Sequence, residues 1–165
     1  MSANEYVQLL RLLTGAGVEF VIVGGTAAIF HGASMAAYDL DVLMPFTADN
    51  CARLLQAMSG IHPRLSHTVD KRALQLSAEE LAGSRNLHLL TDCGRLDVLG
   101  SLPPLSDTRA IMRRAEPMEI DRLAIRVLSL EDLIAVKAAM DRPKDKLVAA
   151  ELRAIADVRA STRKR

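Results

Sequence analysis

Apolar residues near the start of the chain recur at helical spacing: Leu9, Leu10, Leu12 and Leu13 make one face, and Gly15 with Gly17 predicts its end. The β-branched and apolar run from Val18 to Val23 predicts a strand that stops at Gly24-Gly25. Thr26 to His31 then reads as a short helix closed by Gly32. Asp39 to Met44 reads as a second strand, terminated by Pro45, and Thr47 is placed to cap a helix over Ala48 to Met58. Gly60 and Pro63 break that pattern. Residues 64 to 83 carry only weak strand character at Ala73 to Leu76 and a helical turn at Ala78 to Ala82.

Asn86 to Leu90 and Arg95 to Leu99 flank Thr91, Asp92, Cys93 and Gly94, a pattern that predicts two strands joined by a tight turn, with Asp97 on the second. Pro103 and Pro104 end that hairpin. A loose segment containing Met112 to Arg114 follows, and Met118 to Val127 predicts another hairpin turning at Asp121 and Arg122. Ser129-Leu-Glu-Asp132 has the spacing of a capping box, with Leu130, Leu133, Ile134 and Val136 as the apolar face of the helix it starts. Pro143 interrupts, and Lys144 to Ala160 predicts a last helix before a basic, frayed end at Arg163 to Arg165.

A chain of 165 residues, half of them hydrophobic, can bury one proper core and is too short for two ordinary domains. One α+β domain over residues 1–165 is expected, with a sheet-containing core over 1–128 and helices over 129–165. No apolar run approaches the roughly 20 residues a membrane-spanning helix needs, and Met1 to Tyr6 lacks a secretory pattern. The expectation is a soluble, cytoplasmic protein without a membrane partner. Cys51 and Cys93 stand far apart with no second ligand at metal spacing, which gives a zinc site little support. Three Phe, two Tyr and no Trp argue against a base-stacking platform for single-stranded nucleic acid. The net charge of +1 hides an asymmetry. Residues 137 to 165 hold nine Lys/Arg and four Asp/Glu, a balance of +5, and the remainder holds twelve and sixteen, a balance of −4.

The chemistry centres on Asp39 and Asp41. A strand period of two puts both carboxylates on one face, where like charges repel unless cations or strong donors neutralise them, and hard divalent metal does so while gripping phosphate oxygens. An exposed strand face at a sheet edge is the plainer reading of an isolated Asp-x-Asp, but three neighbours bear on it. Gly24 and Gly25 make a turn at a helix start, where free backbone N–H groups can hold phosphate. Asp97 lies mid-strand and needs a compensating partner. Lys137, with Arg142, Lys144 and Asp145 close behind, brings cations suited to a triphosphate, although a solvated basic helix carries the same residues. His31, on a short helix before a glycine, reads as a packed or capping residue, and His62, His67 and His88 show no ligand spacing.

In order and spacing these features resemble the DNA polymerase beta-like nucleotidyltransferase superfamily, particularly small bacterial members linked to abortive-infection and toxin-antitoxin modules. The matching residues are Gly24-Gly25, His31-Gly32, Asp39-Leu-Asp41, the later Asp97, and Leu133-Ile-Ala-Val-Lys137 with Asp141-Arg-Pro-Lys-Asp145. Residues 60 to 85 and 103 to 117 lie outside the resemblance. It implies a mixed sheet flanked by helices, and magnesium or manganese held by Asp39, Asp41 and Asp97 as catalytic and metal residues. It also implies a nucleoside triphosphate, ATP among the possibilities, gripped by Gly24, Gly25, Lys137 and Lys144. The implied reaction moves a nucleotide to a hydroxyl of an acceptor, with tRNA or protein favoured over a small molecule, in a chain that can pair with a partner protein of a two-component module. Many relatives carry Arg and Thr just before the paired aspartates, where this chain has Met35 and Ala37. That departure leaves a second reading open, a catalytically silent fold that binds or regulates a protein partner.

Overall fold

A computed structural model describes residues 3–163 of the chain. Fourteen elements follow one another: α1 (Ala3–Gly15), β1 (Val21–Ile22), α2 (Gly24–His31), β2 (Leu40–Leu43), α3 (Ala48–Met58), β3 (Arg64–Leu65), α4 (Ala78–Ala82), β4 (Asn86–Thr91), β5 (Gly94–Leu99), α5 (Thr108–Arg114), β6 (Glu116–Ile120), β7 (Leu123–Val127), α6 (Leu130–Ala139) and α7 (Pro143–Arg163). The strands form one mixed sheet in the order β3-β4-β5-β2-β1-β7-β6. Pairs β2·β5 and β1·β7 are parallel; the other four are antiparallel. The result is the expected mixed sheet flanked by helices, with a helical C-terminal part.

The core sits between this sheet and its helices. Leu9, Leu10 and Leu13 of α1, Leu54 and Met58 of α3, and Leu133 of α6 bury fully against Ile22, Leu40, Leu43, Leu89 and Leu96 of the strands. Burying a Leu or Ile side chain contributes about 1.5–3 kcal/mol, so this shared cluster is what holds the sheet's central strands in place. Both cysteines are buried free thiols, as the absence of ligand spacing suggests.

Helix signals in the sequence translate well. Thr47 caps α3 by accepting from the Asn50 amide, Gly32 closes α2 at φ 107°, and Asp121 with Arg122 both take positive φ at the β6–β7 turn. Four expectations need correction. The strand expected from Val18 shrinks to Val21–Ile22, because the Val18 amide is committed to the Leu13 carbonyl at the exit of α1. Residues 73 to 76 form no strand; Ala73 makes a single bridge to Arg64, and the strand of that region is the two-residue β3. The segment around Met112 is a helix, α5, capped by Asp107 through the Ala110 amide at 2.9 Å. Ser129 does cap α6, but the box is not reciprocal: the Asp132 carboxylate turns instead to the Arg114 guanidinium, at 3.0 and 3.1 Å. Of the expected basic end, Lys164 and Arg165 lie outside the described residues.

Candidate active site

Parallel pairing of β2 with β5 sets Asp41 directly beside Asp97, and residues in register on neighbouring strands share a face. Asp39 stands one residue ahead of β2, two positions from Asp41 and on the same side. One carboxylate oxygen from each of Asp39, Asp41 and Asp97 lies within 4.8 Å of the other two. The sheet register therefore brings Asp97 to the pair that strand periodicity sets on one face.

Electrostatics records the crowding. Burial, then the charges of Asp39 and Asp97, push the Asp41 carboxyl up from an ordinary 3.8 to about 7, against the opposing pull of the Gly25 amide and the Lys137 charge. Asp97 Oδ1 is buried without a hydrogen bond; His88 Nδ1 lies 3.0 Å away as an ion-pair neighbour but is not aligned to donate to it. Three hard oxygen donors, one of them buried and unsatisfied, around an Asp41 carboxyl that resists ionisation on its own, are the donor chemistry that magnesium or manganese takes. The residues fit such an ion.

The glycine turn serves the carboxylates first. Gly24 has φ +64°, and a Cβ on it would sit 2.0 Å from Asp41 Oδ2, so only glycine lets the turn approach the acid this closely. The Gly25 backbone amide acts on the Asp41 carboxyl in favour of its ionised form. A Cβ on Gly25 would meet Met35 Cε at 3.3 Å and Ala37 Cβ at 3.4 Å, so the two departures from the family pattern line the turn with apolar atoms.

The two lysines separate. Lys137 is buried, its Nζ 2.8 Å from Asp145 Oδ1, while Arg142 Nε closes on Asp145 Oδ2 at 2.6 Å. Its charge nonetheless reaches Asp41. Lys144 is exposed on the first turn of α7. His31 is buried, with Nε2 2.7 Å from the Leu128 carbonyl, and ties α2 to the end of β7 as a packing residue.

Three neighbours of the cluster are not apparent from the sequence motifs. Tyr6 of α1 and Thr26 of α2 both donate their hydroxyls to the Asp39 carbonyl, at 3.1 and 3.2 Å. Nothing in the sequence links these positions. His88 is recoverable: a tight turn that pairs Thr91 with Gly94 places His88 opposite Asp97 in the antiparallel register.

No protein-family model matches the chain, and no curated protein matches it. Solved structures do. The lincosamide antibiotic adenylyltransferase LnuA, lincomycin-bound, superposes with a TM-score of 0.63 at 13% identity over 94% of this chain and 98% of its own. ANT(2'')-Ia, in complex with adenylyl-2''-tobramycin, gives 0.55 at 14% identity over 99% and 98%. A Thermotoga maritima protein assigned as a nucleotidyltransferase gives 0.54 at 16% identity over 100% and 97%. The chain has the nucleotidyltransferase fold along its whole described length.

Proposed function

We propose that this chain is a divalent-metal-dependent nucleotidyltransferase that moves a nucleotide from a nucleoside triphosphate to a hydroxyl of an acceptor. The observation that carries the reading is the convergence of Asp39, Asp41 and Asp97 within 4.8 Å beside a glycine turn, in a fold that LnuA and ANT(2'')-Ia share. Asp39 and Asp41, with Asp97, would hold magnesium or manganese. When bound, the ion supplies charge to neutralise triphosphate oxygens and acidify an acceptor hydroxyl. Asp97 would accept the hydroxyl's proton as the new phosphodiester bond forms and pyrophosphate leaves. Gly24 offers an unhindered backbone at the site, and Lys137, with Lys144 from the next helix start, adds positive potential against the leaving group.

Because LnuA is an adenylyltransferase and ANT(2'')-Ia was solved with adenylyl-2''-tobramycin, ATP is the triphosphate to test first, and small hydroxylated antibiotics join tRNA and protein as acceptors. Incubation with α-labelled ATP and magnesium, against lincomycin, tobramycin, tRNA and cell extract in turn, should place label on one acceptor class. Label that survives in Asp41→Asn would remove the proposal. A macromolecular acceptor is distinguished by binding that weakens steeply with salt.

Met35 and Ala37 favour a second reading. They put carbon atoms against Gly25 where the related pattern has an Arg and a Thr, so the turn has fewer polar groups for a triphosphate. A silent fold acting through a protein partner would yield no label with any acceptor, together with a co-purifying protein. Restoring the polar pair, Met35→Arg with Ala37→Thr, would then raise ATP binding.

A further inference from the structure

A cavity of about 680 Å³ lies away from the carboxylates. Gly24 follows the C-terminal end of β1, where the Val23 amide pairs with the Asp41 carbonyl and Asp97 lies in register beyond, whereas the cavity is lined by Glu19 and Phe20 before β1 and by Ala124 to Arg126 of β7, which runs parallel to it. The strands thus separate the two places. α5 contributes Arg109 and Arg113, four residues apart and so on one helix side, and β7 adds Arg126. Against these three cations the lining holds one acid, Glu19, a balance of +2.

Arg109 and Arg113 are exposed and have no ion-pair partner among the described residues, and Arg126 is held differently. Its Nη2 donates to the carbonyls of Ala115 at 2.6 Å and Arg113 at 3.3 Å, which fixes the guanidinium and leaves its other donors open. The floor is apolar, built from buried Val18 and Ile125 with half-buried Phe20 and Met112. Planar guanidinium forks match phosphate oxygens in pairs, and an apolar floor accepts a ring or aliphatic portion. The volume suits a small molecule.

We propose that this cleft binds a small phosphorylated anion of nucleotide size, at a site separate from the carboxylate cluster. A single cavity favours a small ligand over an extended strand, and the one aromatic at the floor is too little for a stacking track. The inference does not depend on the chain being an active transferase.

Calorimetric titration with ADP and with inorganic pyrophosphate in EDTA tests it, because without divalent metal the acidic cluster repels both probes. The expected result is one saturable ADP site, with pyrophosphate binding more weakly for want of the floor. Arg109→Glu with Arg113→Glu should weaken ADP about tenfold or more while leaving the thermal midpoint unchanged, since both residues are exposed and unpaired. Asp39→Asn with Asp41→Asn should leave ADP binding in EDTA intact. The proposal falls if neither probe binds at millimolar concentration, or if the arginine variants bind as wild type. It also falls if only the aspartate variants lose binding, or if single-stranded RNA binds where ADP does not.

Discussion

Two clusters of ionisable residues lie within electrostatic reach of each other and follow opposite rules. In one, Lys137 and Asp145 are buried and meet at 2.8 Å, with Arg142 closing the second oxygen, so cation and anion balance inside the protein. In the other, Asp39, Asp41 and Asp97 crowd together beside the His88 ring, with a share of the Lys137 charge. The first is finished; the second lacks positive charge. Burying unlike charges is tolerable when each is satisfied, whereas burying like charges requires a proton or an added cation. The balanced cluster joins α6 to α7, and the unbalanced one is what a metal would complete.

The sharpest break of that contrast is Asp145→Ala. It strands the buried Lys137 ammonium, and truncating one partner of such a pair costs about 3–5 kcal/mol, read as a lower urea midpoint. Lys137→Met with Asp145→Leu removes both charges and should cost less than the single change. A single variant within about 1 kcal/mol of wild type, on the order of a surface substitution, would mean the pair carries little of the fold.

The second test is pH. Burial first raises the Asp145 carboxyl, but hydrogen bonds and charges of Lys137 and Arg142 outweigh it and leave the group below its ordinary value. Its stabilisation is therefore complete above 3.8 and is lost as pH falls through the lower folded value. Asp41 runs the other way. Its folded value of about 7 stands above the unfolded 3.8, so the folded state holds an extra proton between them and metal-free stability falls as pH rises through that window. The loss should be about 2–4 kcal/mol, because each tenfold difference in proton affinity between the folded and unfolded chain is worth about 1.4 kcal/mol. Thermal midpoints in EDTA from pH 4 to 8 should decline in wild type and stay level in Asp41→Asn, and magnesium or manganese should restore wild type near pH 7.5. A flat wild-type profile would deny the crowding.

Gly24→Ala probes how tightly the turn is fitted. A Cβ there meets Asp41 Oδ2 at 2.0 Å and the backbone is already at φ +64°, so the variant should lose about 1–3 kcal/mol together with manganese affinity. Gly15→Ala, with nothing within 4 Å, is the control and should leave both unchanged.

The parts of this architecture that are legible in the sequence are those written in local chemistry. Thr47, Ser129 and Gly32 mark helix ends because their side chains, or lack of one, act on neighbouring backbone. Asp39 and Asp41 are visible through strand period, and Asp97 through a hairpin whose turn is plain. Less is visible where tertiary partners decide. Asp132 fits a capping box by spacing, yet Arg114, eighteen residues away, takes its carboxylate. Lys137 reads as a free cation until Asp145 is found beneath it. The α5 helix hides in the sequence because its amphipathic pattern is only seven residues long, too short for periodicity to register, although Asp107 supplies a cap.

The smallest effect tests the part of the unbalanced cluster that no local rule could reveal. Asp39 precedes β2, and its carbonyl takes both the Tyr6 and the Thr26 hydroxyls, filling its two lone pairs with donors from α1 and α2. These side chains never touch the proposed metal; they aim the residue that would. Tyr6→Phe and Thr26→Val should each cost about 1 kcal/mol, the ordinary worth of one hydrogen bond. If the hydroxyls orient Asp39, the double variant should also bind manganese about tenfold more weakly, as lost supporting contacts behind metal ligands typically do. Gly15→Ala supplies the unaffected reference. Manganese affinity unchanged beside the expected stability loss would make the pair a packing contact, and the aim of Asp39 would then rest on β2 alone.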